Sequence, residues 1–269
     1  MAEARTADRD EEVRGAARQL DRDRYLAALL APAGARQGLL TIAAFHGEIA
    51  RIPVTATEPT IGAIRLQWWR DVLDDAGHAG DVAAPVADAM LAATRRGDVN
   101  ARDAVAIVDA YETLLHPGAL AAPEALAAFA DASQGAAFRM AAHVLGGSQA
   151  SYGAVISDAA QAYGRAQLLR LLPALLAKGH NPLAAEAPSD WRPILMPIIG
   201  EANAALAAVR RQSSVAPATI RQAILPTALV EPYLAALERL GSRIAFEQAE
   251  ISPLSRIWRI YLASRRERF

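Results

Sequence analysis

Apolar residues recur every three to four positions along nearly the whole chain, and Pro and Gly interrupt the pattern at intervals. This period predicts helices over roughly Glu11–Leu30, Ala35–Ile52, Thr60–Ala76, Val82–Arg95, Ala101–Leu115, Pro123–Leu145, Ser151–Ala177, Trp191–Arg210, Ala218–Leu240 and Arg243–Arg266. Pro59-Thr60 and Pro123-Glu124 mark helix starts, Gly146-Gly147-Ser148 marks a break, and Asn181 to Asp190 reads as loop. No segment reads as a strand pair. The expected fold is all-α, a bundle of about nine or ten helices. The polar residues 1–20 are expected to be a mobile N-terminal segment, and residues 21–269 a single helical domain.

Composition narrows the classes. The 269 residues are 53% hydrophobic, enough for a sizeable core, with a formal net charge of -1. No nucleic-acid partner is expected from that charge. Lys178 is the only lysine, and the chain has no cysteine, which excludes disulfides and thiolate metal sites. No stretch reaches the ~18 apolar residues of a membrane span, and Met1 to Asp23 has no apolar core of a secretory signal. A cytoplasmic location is expected, with peripheral membrane contact through the C-terminus. There, Leu254, Ile257, Trp258 and Tyr261 alternate at helical spacing with Arg256, Arg259, Arg265 and Arg266. The plain alternative is a last amphipathic helix closing the bundle.

The helix from Ile61 to Ala76 carries the sharpest local motif. Its polar arc holds Gln67, Arg70, Asp71 and Asp74, with Asp75 at the edge. Its apolar arc holds Ile61, Leu66, Trp68, Trp69, Val72 and Leu73, which places both tryptophans in the core. Arg65 falls within the apolar arc, so it is expected to pair with Glu48 or Glu58 or to line a wet cavity. Asp71, Asp74 and Asp75 resemble a metal motif by eye, but they lie on the solvated arc and Arg70 is placed to pair with Asp74. His46, His78, His116, His143 and His180 form no HxxxH or HExxH pair.

Three stretches together resemble the squalene/phytoene synthase family: Arg24 to Pro32, Ala44-Phe45-His46-Gly47-Glu48-Ile49-Ala50-Arg51, and Ile64-Arg65-Leu66-Gln67-Trp68-Trp69-Arg70-Asp71. The likeness is greatest to the branch that includes a mitochondrial complex I assembly factor. The resemblance implies an isoprenoid-synthase-like bundle around a central cavity. It also implies two facing aspartate-rich motifs that hold prenyl diphosphates through Mg²⁺. In this sequence the first motif falls on Ala50, Arg51 and Val54. Ala43, His46, Gly47 and Ala50 share one small, nearly apolar face, and Pro53 is expected to interrupt that helix. The second motif opens as Gly164-Arg165-Ala166-Gln167-Leu168, but its acids fall on Pro173, Ala174 and Lys178. Gln167, Arg170, Ala174 and Lys178 then share a face with cations where the family has carboxylates.

The expected function is therefore a family member without Mg-diphosphate catalysis, acting in complex assembly or binding an isoprenoid or lipid. Arg65, Gln67, Trp68, Gln167, Arg170 and Lys178 are its candidate cavity residues, and it needs no cofactor. The alternative is an active prenyltransferase condensing prenyl diphosphates with Mg²⁺, with Asp71, Asp74 and Asp75 as the only dense acid cluster on a convincing helix.

Overall fold

A computed structural model describes residues 2–74, 84–147 and 152–266. Among these residues all regular structure is helical. The helices are α1 (Ala2–Leu20), α2 (Arg22–Leu29), α3 (Ala33–Thr55), α4 (Pro59–Asp74), α5 (Pro85–Arg95), α6 (Ala101–Glu112) and α7 (Pro123–Ala130). There follow α8 (Ala136–Val144), α9 (Gly153–Ala177), α10 (Arg192–Ser213), α11 (Ala218–Ala223), α12 (Val230–Leu240) and α13 (Pro253–Arg266). The long helices α3 and α9 form the middle of the bundle. α1 packs on α3 and α5, α6 on α4 and α8, and α10 on α9.

The structure breaks several expected helices, each for a local reason. The expected helix Glu11–Leu30 is two helices, because Asp21 leaves helical geometry and its side chain accepts from the Arg24 N–H as an N-cap. The N-terminal segment, expected to be mobile, is helical over Ala2–Leu20. Its Val13 and Ala17 are fully buried, an i,i+4 pair that seats the helix on the bundle. Pro53 does not end α3; the helix runs to Thr55 with Pro53 in its last turn. The expected Pro123–Leu145 helix contains one wider turn of π geometry, Asp131–Gly135, between α7 and α8. That turn aims Gln134 inward, where it is 1% exposed.

Two glycines allow the close approaches that build the centre. A Cβ on Gly47 of α3 would lie 2.5 Å from the Leu20 Cβ, just before Asp21. A Cβ on Gly164 of α9 would lie 2.8 Å from the Ala130 Cβ, beside the π turn. Gly→Ala inside a helix ordinarily stabilises by about 1 kcal/mol through propensity. Here overpacking, at about 1–3 kcal/mol, opposes that gain. Gly47→Ala should therefore lower the midpoint of urea unfolding. A raised midpoint would show that α3 and the α1–α2 junction are not in contact.

Candidate central site

A partly open cavity of about 270 Å³ lies between α2, α3, α9 and α13. Ala50 of α3 lines one side, and Gln167, Arg170 and Leu171 of α9 line the other. The two helices singled out in the sequence therefore meet across this space. Its charged lining comes mainly from the start of α2, whose polar run had no assigned role.

Asp21 anchors the first half. Its carboxylate accepts from the Arg24 backbone N–H at 3.1 Å and from Arg24 Nη1 at 2.8 Å. His46 Nδ1 lies 3.1 Å from Asp21 Oδ2. An ionised carboxylate only accepts, so Nδ1 carries the imidazole proton and Nε2 is left to accept. Tyr111 Oη and Gln134 Nε2 each stand 3.2 Å from Nε2 and supply those donors. The Gln134 carbonyl accepts from Arg24 Nη2. The Arg24 guanidinium also lies over the rings of Phe138 and Tyr163, 5.3 and 5.4 Å from their centroids.

Asp23 anchors the second half. Its carboxylate accepts from Tyr163 Oη at 2.9 Å, Tyr233 Oη at 2.8 Å and Gln167 Nε2 at 3.1 Å. Arg256 Nε of α13 approaches it to 3.0 Å. Arg170 sits 3.9 Å over the Tyr233 ring and donates to Gln167 Oε1 and the Ala249 carbonyl. The lining thus sets four arginines, 22, 24, 170 and 256, against two aspartates.

Burial and neighbours set the protonation states. Burial alone raises the Asp21 carboxyl, but the Arg24 charge and the His46 hydrogen bond outweigh it and hold it well below the usual 3.8. Burial lowers His46 below the usual 6.5, and Arg24 lowers it further, so the ring is neutral. Burial pushes the phenols of Tyr111, Tyr163 and Tyr233 upward, so they remain donors.

The other expected positions lie elsewhere. Arg65, Gln67 and Trp68, expected at the cavity, are exposed on the outer face of α4. Arg65 makes no bond to Glu48 or Glu58 or to any other described residue. The double tryptophan splits: Trp69 is 6% exposed in the core and Trp68 is 42% exposed. Arg70 binds Asp109 at 2.7 Å and Glu112, not Asp74. Asp71 and Asp74 are exposed on α4 and are not part of the cavity lining, and Asp75 lies outside the described residues. Arg51 is exposed beside Glu48 at 3.7 Å, and Val54 packs half-buried against the core. Ala174 and Lys178 are exposed at the end of α9, outside the lining. Among the described residues, no three His, Asp or Glu side chains converge closely enough to hold a metal ion.

Residues 17–259 match the squalene/phytoene synthase family. The chain belongs to this family. A relative across most of its length is the rat NADH dehydrogenase (ubiquinone) complex I assembly factor 6, 26% identical over 94% of this chain and 80% of that protein. The bovine assembly factor 6 is 30% identical over 58% of this chain and 47% of its own. Two solved structures share the fold. Squalene synthase HpnC from Alicyclobacillus acidocaldarius has a TM-score of 0.69 at 17% identity, covering 88% of this chain and 96% of that one. A dehydrosqualene synthase in complex with ligand has a TM-score of 0.75 at 12% identity, covering 98% of each. The family's bundle is thus kept, with a central space lined by the chain's own ion pairs.

The buried pairs make two measurable predictions. Asp23→Asn takes from Arg256 its buried charge partner and leaves it only the exposed Glu250 at 3.6 Å, so unfolding free energy should fall by about 3 kcal/mol in urea titrations. The depressed His46 and Asp21 values mean that the unfolded chain binds more protons than the folded one, so stability rises with pH. It should fall as pH drops below about 6.5, and again below about 3.8. His46→Gln should remove the first fall and keep the second. A flat urea midpoint between pH 7 and 5 in the wild type would contradict the buried neutral imidazole.

Proposed function

We propose that this chain acts as an assembly factor for a respiratory NADH dehydrogenase, on the scaffold of a prenyl synthase and without its Mg²⁺-diphosphate chemistry. The observation that carries this reading is the state of the cavity's two carboxylates. Mg²⁺ takes near-octahedral oxygen ligands and is usually held by carboxylates with open lone pairs. Asp23 is already surrounded by two phenols, an amide and a guanidinium, and Asp21 by Arg24 and His46. The faces where the family has aspartates offer Ala50, Arg51 and Val54 on α3, and Ala174 and Lys178 on α9. The surplus of arginine in the cavity adds repulsion toward a divalent cation. The residues do not fit the metal. The similarity to assembly factor 6 over 94% of the chain supplies the positive half of the reading.

Isoprenoid or lipid binding in the cavity draws no such support. The space of about 270 Å³ falls below the ~300–1,000 Å³ common for small-molecule sites, and charged side chains stand among its apolar walls. Lys178 does not reach it, and Arg170 is committed to Tyr233, Gln167 and Ala249. The prenyltransferase alternative would rest on Asp71 and Asp74, which face outward on α4.

Peripheral membrane contact has a specific observation behind it. No helix among the described residues is long and apolar enough to cross a membrane. α13, however, leaves Leu254 80%, Ile257 46%, Trp258 60% and Tyr261 43% exposed along one face. Arg265 and Arg266 are exposed in its last turn, which suits an anionic headgroup layer.

Deleting the gene in its source organism should reduce NADH:ubiquinone oxidoreductase activity of isolated membranes and deplete the assembled complex. Normal activity in the deletion strain would refute the assembly reading. For the membrane contact, sedimentation with vesicles containing phosphatidylserine should bring down the protein in low salt. Leu254→Ala with Trp258→Ala should weaken that binding about ten-fold or more. Equal sedimentation of the two proteins would assign α13 to bundle closure alone.

A further inference from the structure

α4 presents two apolar faces, and the bundle uses one. Gly62, Leu66, Trp69, Val72 and Leu73 are buried against the neighbouring helices. On the outer side, Ile61 is 38%, Ile64 65% and Trp68 42% exposed, with Arg65 exposed between them. These four positions follow the i, i+3, i+4, i+7 spacing by which a helix sets anchors into a partner's groove. Trp and Arg are the residue types that most often dominate such contacts.

Two features separate this stripe from scattered surface residues. First, Trp68 is already oriented. Its ring stands edge-on to Trp69 at 5.0 Å, and Trp69 is fixed in turn by an edge contact to Phe45 at 5.2 Å. A side chain held before binding loses less freedom on docking. Second, Gln67, Arg70, Asp71, Asp109 and Glu112 along the flank are engaged with one another while Arg65 is not. Gln67 donates to Asp71 at 2.7 Å, and Arg70 bridges Asp109 and Glu112. Arg65 has no hydrogen bond or ion pair among the described residues.

Charge decides the kind of partner. The flank sets Asp71, Asp74, Asp109 and Glu112 against Arg70 alone, a negative balance that would repel an anionic lipid surface. In this it differs from α13, whose last turn carries arginines. We propose that the outer face of α4 docks a protein partner. The partner offers an apolar groove for Ile61, Ile64 and Trp68, a carboxylate opposite Arg65, and basic groups facing the acidic flank. This rests on the assembly reading, so the partner is a subunit or intermediate of the NADH dehydrogenase.

The test places the photo-crosslinker p-benzoylphenylalanine at position 64 of the full chain, expressed in the deletion strain, with a control probe at exposed Met196 of α10. Irradiation should link position 64, and not position 196, to a subunit of the NADH dehydrogenase identified by mass spectrometry. Arg65→Glu should cut that yield about ten-fold or more and bring membrane NADH:ubiquinone activity toward the deletion level. Its own thermal midpoint should stay unchanged, since Arg65 holds nothing in the fold. Trp68→Ala should act in the same direction. If the deletion strain lacks activity but Arg65→Glu and Trp68→Ala restore it fully, the docking face is wrong and the assembly reading stands. If the deletion strain has normal activity, both fall. A crosslink to a second copy of the chain, to lipid or to nothing also overturns the proposal.

Discussion

The carboxylate of Asp23 is 5% exposed, and a buried carboxylate needs partners for its charge and for its lone pairs. Tyr163 and Gln167 come to it from α9, Tyr233 from α12 and Arg256 from α13. One side chain near the start of the chain thus ties together helices more than 130 residues away. Asp21, two positions earlier, does the same toward α3 through His46 and, through Arg24, toward the π turn. The short helix α2 is the clasp of the bundle. Its place against α3 depends on Gly47, where any side chain would meet Leu20.

This clasp also bears on chemistry. A carboxylate with open lone pairs binds cations, whereas one saturated by phenols, amides and guanidinium groups holds structure. The helices that meet across the cavity are those expected to carry the family's acids, yet their facing side chains are His46, Ala50, Tyr163, Gln167, Arg170 and Leu171. The acids that do reach the space come from a different helix and are consumed there. Electrostatics that would otherwise hold a ligand instead join α2 to four other helices.

Much of the architecture was legible in the sequence because helical periodicity and Pro/Gly punctuation carry it. The pairing of α3 with α9 across a cavity followed from the family resemblance. The clasp was not legible, for a physical reason. Asp21-Arg22-Asp23-Arg24 reads as a solvated charge run between Leu20 and Tyr25, and nothing in the period marks the break at Asp21. An Asp three residues before an Arg, at the foot of an apolar run, was the available N-cap signal. The π turn escaped for a similar reason, since one wider turn leaves the apolar pattern of 123–145 continuous. On α4, periodicity identified an apolar arc but could not say which part meets the core. Trp68 and Trp69 are one residue apart, about 100° around the helix, and only tertiary packing separates them. Arg170 reaches the cavity and Lys178 does not, because two further turns carry the face beyond the end of the bundle.

The central claim is that internal ion pairs stand where a metal–diphosphate site would be. The most direct test incubates the purified protein with farnesyl diphosphate and Mg²⁺ and measures released diphosphate against a buffer blank. The account predicts release no faster than the blank, with or without EDTA. Mg²⁺-dependent release by the wild type that disappears in Asp23→Asn, while the variant is still folded, would contradict it.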